Sequence, residues 1–262
     1  MTWLDALILG IIQGLTEFLP VSSSGHLEIG GILLGLKSEN NLLFAVVVHA
    51  ATSLSTLVVF RKDIVEIIKG VFSRTWNSAH DFTLKILISM VPVGIIGIFF
   101  EDQIASFFTG NLLLVGSMLC VTSLLLFITY FSRKNEGEVT YTKAIIIGFA
   151  QAIAILPGIS RSGATIATGI MLGVDKSQAT RFSFLMVIIP ILGAGFLKYM
   201  SYLKDPVAAG SISSTVLLVG FVAAFFAGFL ACKWMINLVR KGKLTWFAAY
   251  CGVVGLVAVI LA

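Results

Sequence analysis

The chain contains one segment written twice. Residues 10–35 (GIIQGLTEFLPVSSSGHLEIGGILLG) align without a gap on residues 148–173 (GFAQAIAILPGISRSGATIATGIMLG), at a constant offset of 138. Twelve of the first 35 positions match their partners, among them Gly10/Gly148, Gln13/Gln151, Ser22/Ser160, Ser24/Ser162, Gly25/Gly163 and Gly35/Gly173. Each copy runs apolar, is broken by proline and a Ser/Gly cluster, and turns apolar again. Such a chain has to build two equivalent interrupted helices and fit both into one fold. In membrane proteins, interrupted hydrophobic segments at matching places in two halves mark a binding site near the bilayer midplane.

Composition puts these halves in a membrane. Of 262 residues 58% are hydrophobic and 12% charged, with a mean hydropathy of +1.01. A soluble domain carries about twice that charged fraction. No short alternating segments suggest a barrel, so the expected class is an all-α polytopic protein. The net charge of +5 is explained by membrane sidedness, and nothing points to nucleic acid. Cys120, Cys232 and Cys251 lie in apolar runs without metal spacing. The start MTWLDALILG lacks a basic n-region and a cleavage site, so no removable signal peptide is expected.

A spanning helix needs about 20 apolar residues. Six stretches approach that length, at about 42–60, 83–100, 112–131, 179–197, 214–233 and 244–262, with kinks expected at Pro92 and Pro190. The repeated pieces are shorter and read as re-entrant hairpins, about 6–36 and 144–174. Residues 1–262 then form a single membrane domain of two repeats, 1–135 and 139–262, each one hairpin plus three spanning helices. Three is odd, so the second repeat enters from the opposite side and the topology is inverted. Fourteen basic residues fall on one side (Arg61, Lys62, Lys69, Arg74, Lys85, Arg133, Lys134, Lys143, Lys176, Arg181, Lys233, Arg240, Lys241, Lys243) and three on the other (Lys37, Lys198, Lys204). The positive-inside rule puts both termini and the Glu101–Asp102 loop outside.

The chemistry sits at the interruptions. Gln13 and Glu17 are four apart and share a helix face that Pro20 terminates. In Ser22-Ser23-Ser24-Gly25-His26, Ser24 is the expected N-cap of a second half-helix beginning near Gly25 or His26, whose exposed N–H groups suit an anion. The second copy has Ile155 for Glu17 and Ala164 for His26, but Arg161 for Ser23. An arginine at membrane depth needs an anionic partner, and its fork matches a phosphate or carboxylate. Interhelical hydrogen bonding, or an Arg161–Glu17 salt bridge without a substrate, are the plainer alternatives. Gly31-x-x-x-Gly35 and Gly169-x-x-x-Gly173 are expected to let the half-helices pack across a pseudo-two-fold axis. His49 reads as a helix-packing hydrogen bonder in mid-span, His80 as a solvated loop residue, and Glu28 has no assigned role.

With these residues in view, the chain resembles the undecaprenyl pyrophosphate phosphatase family of the bacitracin-resistance type, over essentially its whole length. The first signature of that family stands as Gln13 to His26, with Gln13 in place of the first glutamate, and the second as Pro157 to Thr165. The resemblance implies hydrolysis of a C55 polyprenyl diphosphate to the monophosphate and inorganic phosphate. That reaction recycles the lipid carrier for wall synthesis and confers bacitracin resistance. It also implies a divalent cation, Mg2+ or Ca2+, and action at the outer face of the bacterial cytoplasmic membrane.

On this reading Glu17, His26, Ser23 and Arg161 are catalytic, and Gln13, Ser22, Ser24, Ser160, Ser162 and Thr165 contact substrate. Glu17 with Gln13 would hold the metal. The nucleophile is Ser23, His26 or water, with His26 favoured for acid–base work. The partners are the polyprenyl diphosphate and membrane lipid; a homodimer is left open. The rival class is a secondary transporter or polyprenyl-phosphate flippase, which uses the same inverted-repeat features.

Overall fold

The computed structural model describes residues 1–36, 42–107, 111–132, 136–204, 212–241 and 244–262. Its helices are α1 (Trp3–Phe18), α2 (Ser23–Leu33), α3 (Leu42–Val59), α4 (Arg61–Val71), α5 (Ser78–Phe99), α6 (Glu101–Ser106), α7 (Leu112–Ile128), α8 (Tyr141–Ile153), α9 (Arg161–Met171), α10 (Lys176–Lys204), α11 (Ser214–Arg240) and α12 (Leu244–Ile260). Among the described residues the one strand-like feature is an isolated backbone bridge between Gly137 and Val174. The architecture is all-α, as lipid demands of a chain that must satisfy its backbone internally.

A helix stands at each of the six expected spans. Among the described residues, Ser78–Phe99, Leu112–Phe131 and Ser214–Val239 are long and apolar enough to cross a membrane, and α3 with α4 forms a further candidate bent by 74°. α12 is a shorter apolar helix of 17 residues, and α10 continues through Pro190. Span analysis treats residues 61–71 only as a basic connection, yet they form the amphipathic helix α4, which buries none of its residues. Helices of this pattern lie in the interface plane, and the Arg181–Asp63 ion pair at 2.6 Å ties α4 to α10. The expected Glu101–Asp102 loop opens the short helix α6. Lys37, Arg133, Lys134 and Lys243 of the sidedness count lie outside the described residues.

α1 shows how the fold handles its polar residues. Leu4, Ile8, Ile11 and Leu15 form an exposed apolar stripe, while Gln13 is fully buried on the other face. This inverts the amphipathicity of a soluble helix and suits one that faces lipid. α1 packs along α11, and its repeat partner α8 packs along α5. Both contacts rest on the same glycine. A Cβ at Gly10 would sit 2.6 Å from the Gly220 carbonyl oxygen, and one at Gly148 would strike the Ser89 backbone. α7 and α12 meet reciprocally: a Cβ at Gly116 falls 2.8 Å from the Gly255 oxygen, and a Cβ at Gly255 falls 2.8 Å from the Gly116 oxygen.

The Gly-x-x-x-Gly pairs do something else. Gly35 (φ 66°) and Gly173 (φ 83°) have left-handed backbones, and a Cβ on either would meet nothing within 4 Å. Leu36 N–H donates to the Gly31 oxygen and Gly35 N–H to the Ile32 oxygen; Val174 and Gly173 repeat the pattern on Gly169 and Ile170. These are Schellman ends for α2 and α9. The four-residue spacing is therefore a helix stop, and the expected crossing of half-helices at these glycines is corrected. Sequence offers no distinction, because a C-terminal αL glycine four residues after another small residue has the same pattern as a packing motif.

The α7–α12 contact makes a direct test. Gly255→Leu is expected to lower the unfolding midpoint of the detergent-solubilised protein by several degrees, since overpacking costs about 1–3 kcal/mol. Gly94→Ala, where no atom lies within 4 Å of the added carbon, should leave the midpoint within error; equal shifts for the two variants would refute the close approach.

Candidate functional site

α1 stops at Phe18, and Leu19 leaves it in extended geometry (ψ 143°), as the residue before a proline prefers. α2 starts at Ser23, and its N-cap is Ser22, whose side chain accepts from Gly25 N–H. The cap is thus Ser22, two residues before the expected Ser24. Ser22 has φ 68°, a left-handed conformation that is uncommon for a side-chain-bearing residue and clusters at functional sites. The second tip copies the bonding. Ser160 Oγ accepts from Gly163 N–H, and Ser160 and Ser162 hydroxyls lie 3.3 Å apart, as do those of Ser22 and Ser24.

The two tips touch through their backbones. A Cβ at Gly25 would lie 3.2 Å from Gly158 Cα, and one at Gly163 would lie 3.2 Å from Pro20 Cβ. Ser162 Oγ donates to the Leu19 carbonyl at 3.3 Å. Thr122 on α7 clamps the second tip: its hydroxyl donates to the Gly158 oxygen and accepts from Ser160 N–H, both at 3.0 Å.

Two small adjoining cavities open beside this contact, and both are lined by Glu17, Arg161 and Ser162. The second is walled by Ser22, Ser23, Ser24, Ser160 and His49. The first runs between α3 and α10, past the hydroxyls of Thr52, Ser53, Thr56, Thr165 and Ser183. Phe18 closes against Phe184, and Phe184 against Phe60, with ring centroids at 5.9 and 6.0 Å.

Glu17 is the hub. Ser23 Oγ donates to its Oε2 at 2.6 Å, Gln13 Nε2 donates to the same oxygen at 3.0 Å, and His49 Nε2 stands 3.7 Å from it. Gln13 Nε2 also reaches Thr52 Oγ1 at 3.4 Å, while the buried Gln13 Oε1 has no hydrogen-bond partner among the described residues. Arg161 is the first residue of α9. A cation there opposes the positive end of the helix dipole, so folding alone gives no reason for it. Among the described residues Lys85–Asp81 and Arg181–Asp63 are ion pairs and His49 stands near Glu17, and Arg161 is not locked onto Glu17. Arginine fork, two helix N-termini and clustered hydroxyls together favour a multiply charged anion.

The structure thus brings Gln13, Glu17, Ser22, Ser23, Ser24, Arg161, Ser160, Ser162 and Thr165 around one place. It does not bring His26 there. His26 Nδ1–H donates to the Ser22 oxygen, and Nε2 accepts from Tyr250 Oη, both at 2.8 Å; the ring stacks on Tyr250 at 5.6 Å. Its place on α2 turns it toward Tyr250 of α12. His49, read from sequence as a packing residue, lines the serine-rich cavity instead. The signal was the polar stripe His49, Thr52, Ser53, Thr56, at helical spacing in an otherwise apolar run. His80 is not a loop residue: it lies in the first turn of α5 and stacks on Trp76 at 5.2 Å.

Apolar helices closed around a carboxylate, an arginine and two serine-lined helix starts are those of a multi-pass membrane protein. The chain belongs to the bacitracin resistance protein BacA family, whose model matches residues 6–257. An undecaprenyl-diphosphatase of Bacteroides fragilis is 53% identical over 262 residues, covering 100% of this chain and 98% of the relative. One from Christiangramia forsetii is 56% identical over 260 residues, covering 98% and 97%. One from Carboxydothermus hydrogenoformans is 40% identical over 264 residues, covering 100% and 98%.

The clamp can be tested apart from the chemistry. Thr122→Val removes both hydrogen bonds to the second tip and leaves a buried N–H and a buried carbonyl unpaired, at a cost of about 1–3 kcal/mol each. A fall in the unfolding midpoint is expected, with Thr122→Ser restoring most of it; an unshifted midpoint for the valine variant would show that the clamp does not hold the tip.

Proposed function

We propose that the chain hydrolyses undecaprenyl diphosphate to undecaprenyl phosphate and inorganic phosphate in the bacterial cytoplasmic membrane. The reaction returns the lipid carrier to wall synthesis and confers bacitracin resistance. Membership of the family and the printed activity of full-length relatives support the reaction. One observation carries the mechanism: the 2.6 Å hydrogen bond from Ser23 to Glu17, beside Arg161 in the same cavity.

Arg161, with the N–H groups at the starts of α2 and α9, takes the terminal phosphate and spreads its charge. Ser22, Ser24, Ser160, Ser162 and Thr165 complete the lining. Ser23 Oγ attacks the terminal phosphorus in line with the bridging oxygen, and its proton passes to Glu17. The new O–P bond forms as the bridging P–O bond breaks, releasing the lipid monophosphate. Water then attacks the phosphoserine phosphorus as its bond to Ser23 Oγ breaks; Glu17 returns its proton to Oγ, and the water's proton leaves with inorganic phosphate. The neighbouring positive groups make this approach feasible by offsetting the repulsion between nucleophile and diphosphate.

The residues fit a hard divalent cation such as Mg2+ or Ca2+. Glu17 supplies one carboxylate and the orphaned Gln13 Oε1 a neutral oxygen, a donor set of the kind Mg2+ completes with substrate phosphates. A bound cation would supply further neutralisation of the diphosphate.

We further infer that the chain is an inverted repeat of residues 1–135 and 139–262, whose hairpins α1–α2 and α8–α9 enter the membrane from opposite sides. Reciprocal contacts at Gly10/Gly148, Gly116/Gly255, Gly25/Gly158 and Gly163/Pro20 support it, as does the bias of basic residues. The site then opens to the outer face, with both termini outside.

Purified protein incubated with C55 diphosphate and Mg2+ should release phosphate. Arg161→Ala and Glu17→Gln are each expected to lose activity by about 10²-fold or more. Near-normal release by both would sink the site assignment, and no release by the wild type would favour a transporter. Ser23→Ala should abolish any ³²P labelling of protein trapped from terminally labelled substrate.

A further inference from the structure

The cation reading makes a sharper statement about His49. Its Nδ1–H donates to the Ala45 carbonyl at 2.8 Å, which fixes the tautomer and turns Nε2 toward Glu17. Metal-binding histidines are held in this way, with the second ring nitrogen bonded to a backbone carbonyl. The 3.7 Å from Nε2 to Glu17 Oε2 is too long for a hydrogen bond. It suits two ligands of one ion: at about 2.1 Å each, cis ligands lie about 3 Å apart and the limit is about 4.2 Å. Gln13 and Ser23 donate to the same Oε2, so a cation there would share that oxygen with them.

The repeat separates architecture from chemistry. The offset of 138 continues into α3 and α10, where Phe44 pairs with Phe182, and both are buried. At that offset Glu17 faces Ile155 and His49 faces Val187. The second copy folds its hairpin with neither residue; acid and imidazole are lost together while Gln151 is kept. Both positions are apolar in the second copy, so neither residue is needed to build the hairpin. The described residues hold no cluster of three or more His, Cys, Asp or Glu, so the remaining ligands are the Gln13 oxygen and substrate phosphates.

We propose that His49 Nε2 is a ligand of the divalent cation held by Glu17 and Gln13, giving a mixed nitrogen–oxygen site that takes Mn2+ more tightly than Mg2+. The proposal rests on the cation reading above. A nitrogen donor weakens the advantage of Mg2+ and Ca2+, which take oxygen ligands, relative to first-row divalent ions.

The test is pulsed electron paramagnetic resonance of Mn2+ bound to the detergent-purified full chain. Nitrogen modulation is expected, and it should shift when the protein carries ¹⁵N-histidine. The chain has three histidines; His26→Gln and His80→Gln should keep the modulation and His49→Gln should lose it, with the ratio of Mn2+ to Mg2+ affinity falling about tenfold or more. The labelled wild type decides the matter even if His49→Gln folds poorly. Mn2+ bound in a Glu17-dependent way without nitrogen modulation overturns the role of His49 and leaves the cation reading standing. Mn2+ binding that survives Glu17→Gln unchanged, or is absent from the wild type, overturns both.

Discussion

Two helix breaks meet backbone to backbone in an apolar interior, and the functional geometry hangs on that meeting. Gly25 lies against Gly158, and Gly163 against Pro20. The tips lie in contact, so the starts of α2 and α9 and the residues around them face one space. Broken helices are costly in lipid, since each leaves backbone groups without helical partners. Here the serine caps, Thr122 and the neighbouring tip take up those groups. What remains exposed to the cavity is polar surface aimed at a ligand.

The two copies share a backbone and divide the charges. The first keeps Glu17 with Gln13, Ser23 and His49 around it; the second keeps Arg161 at the start of α9. Neither charge would be stable alone at this depth. Placing them on opposite walls without joining them in an ion pair leaves both available to a third group. In a low-dielectric cavity such interactions are stronger than in water, which is the setting phosphoryl transfer requires.

Several features were legible because they are local. Pro20 ends α1 through its missing N–H. The apolar runs locate the helices because lipid admits little else. The near-misses share one cause. Ser24 looks as good a cap as Ser22, and a Gly-x-x-x-Gly stop looks like a packing motif, because sequence spacing carries no dihedral angle. The surroundings of the two histidines were hidden for a related reason. His26 sits inside the conspicuous motif, but its ring is taken by Ser22 and Tyr250. His49 sits in an apolar run, and only the packing of α3 against α11, α10 and α1 turns it to the cavity.

The sequence by itself determined a helical membrane chain, a duplicated hairpin, and the residue types a phosphate site needs, since hydrophobic length and proline breaks act over a few residues. Tertiary structure alone decided which of those residues share a cavity. Glu17 and Arg161 are 144 positions apart, and His26 and Tyr250 still further. Contacts across such separations are set by how helices cross, through glycines that let backbones approach, and no local pattern encodes that.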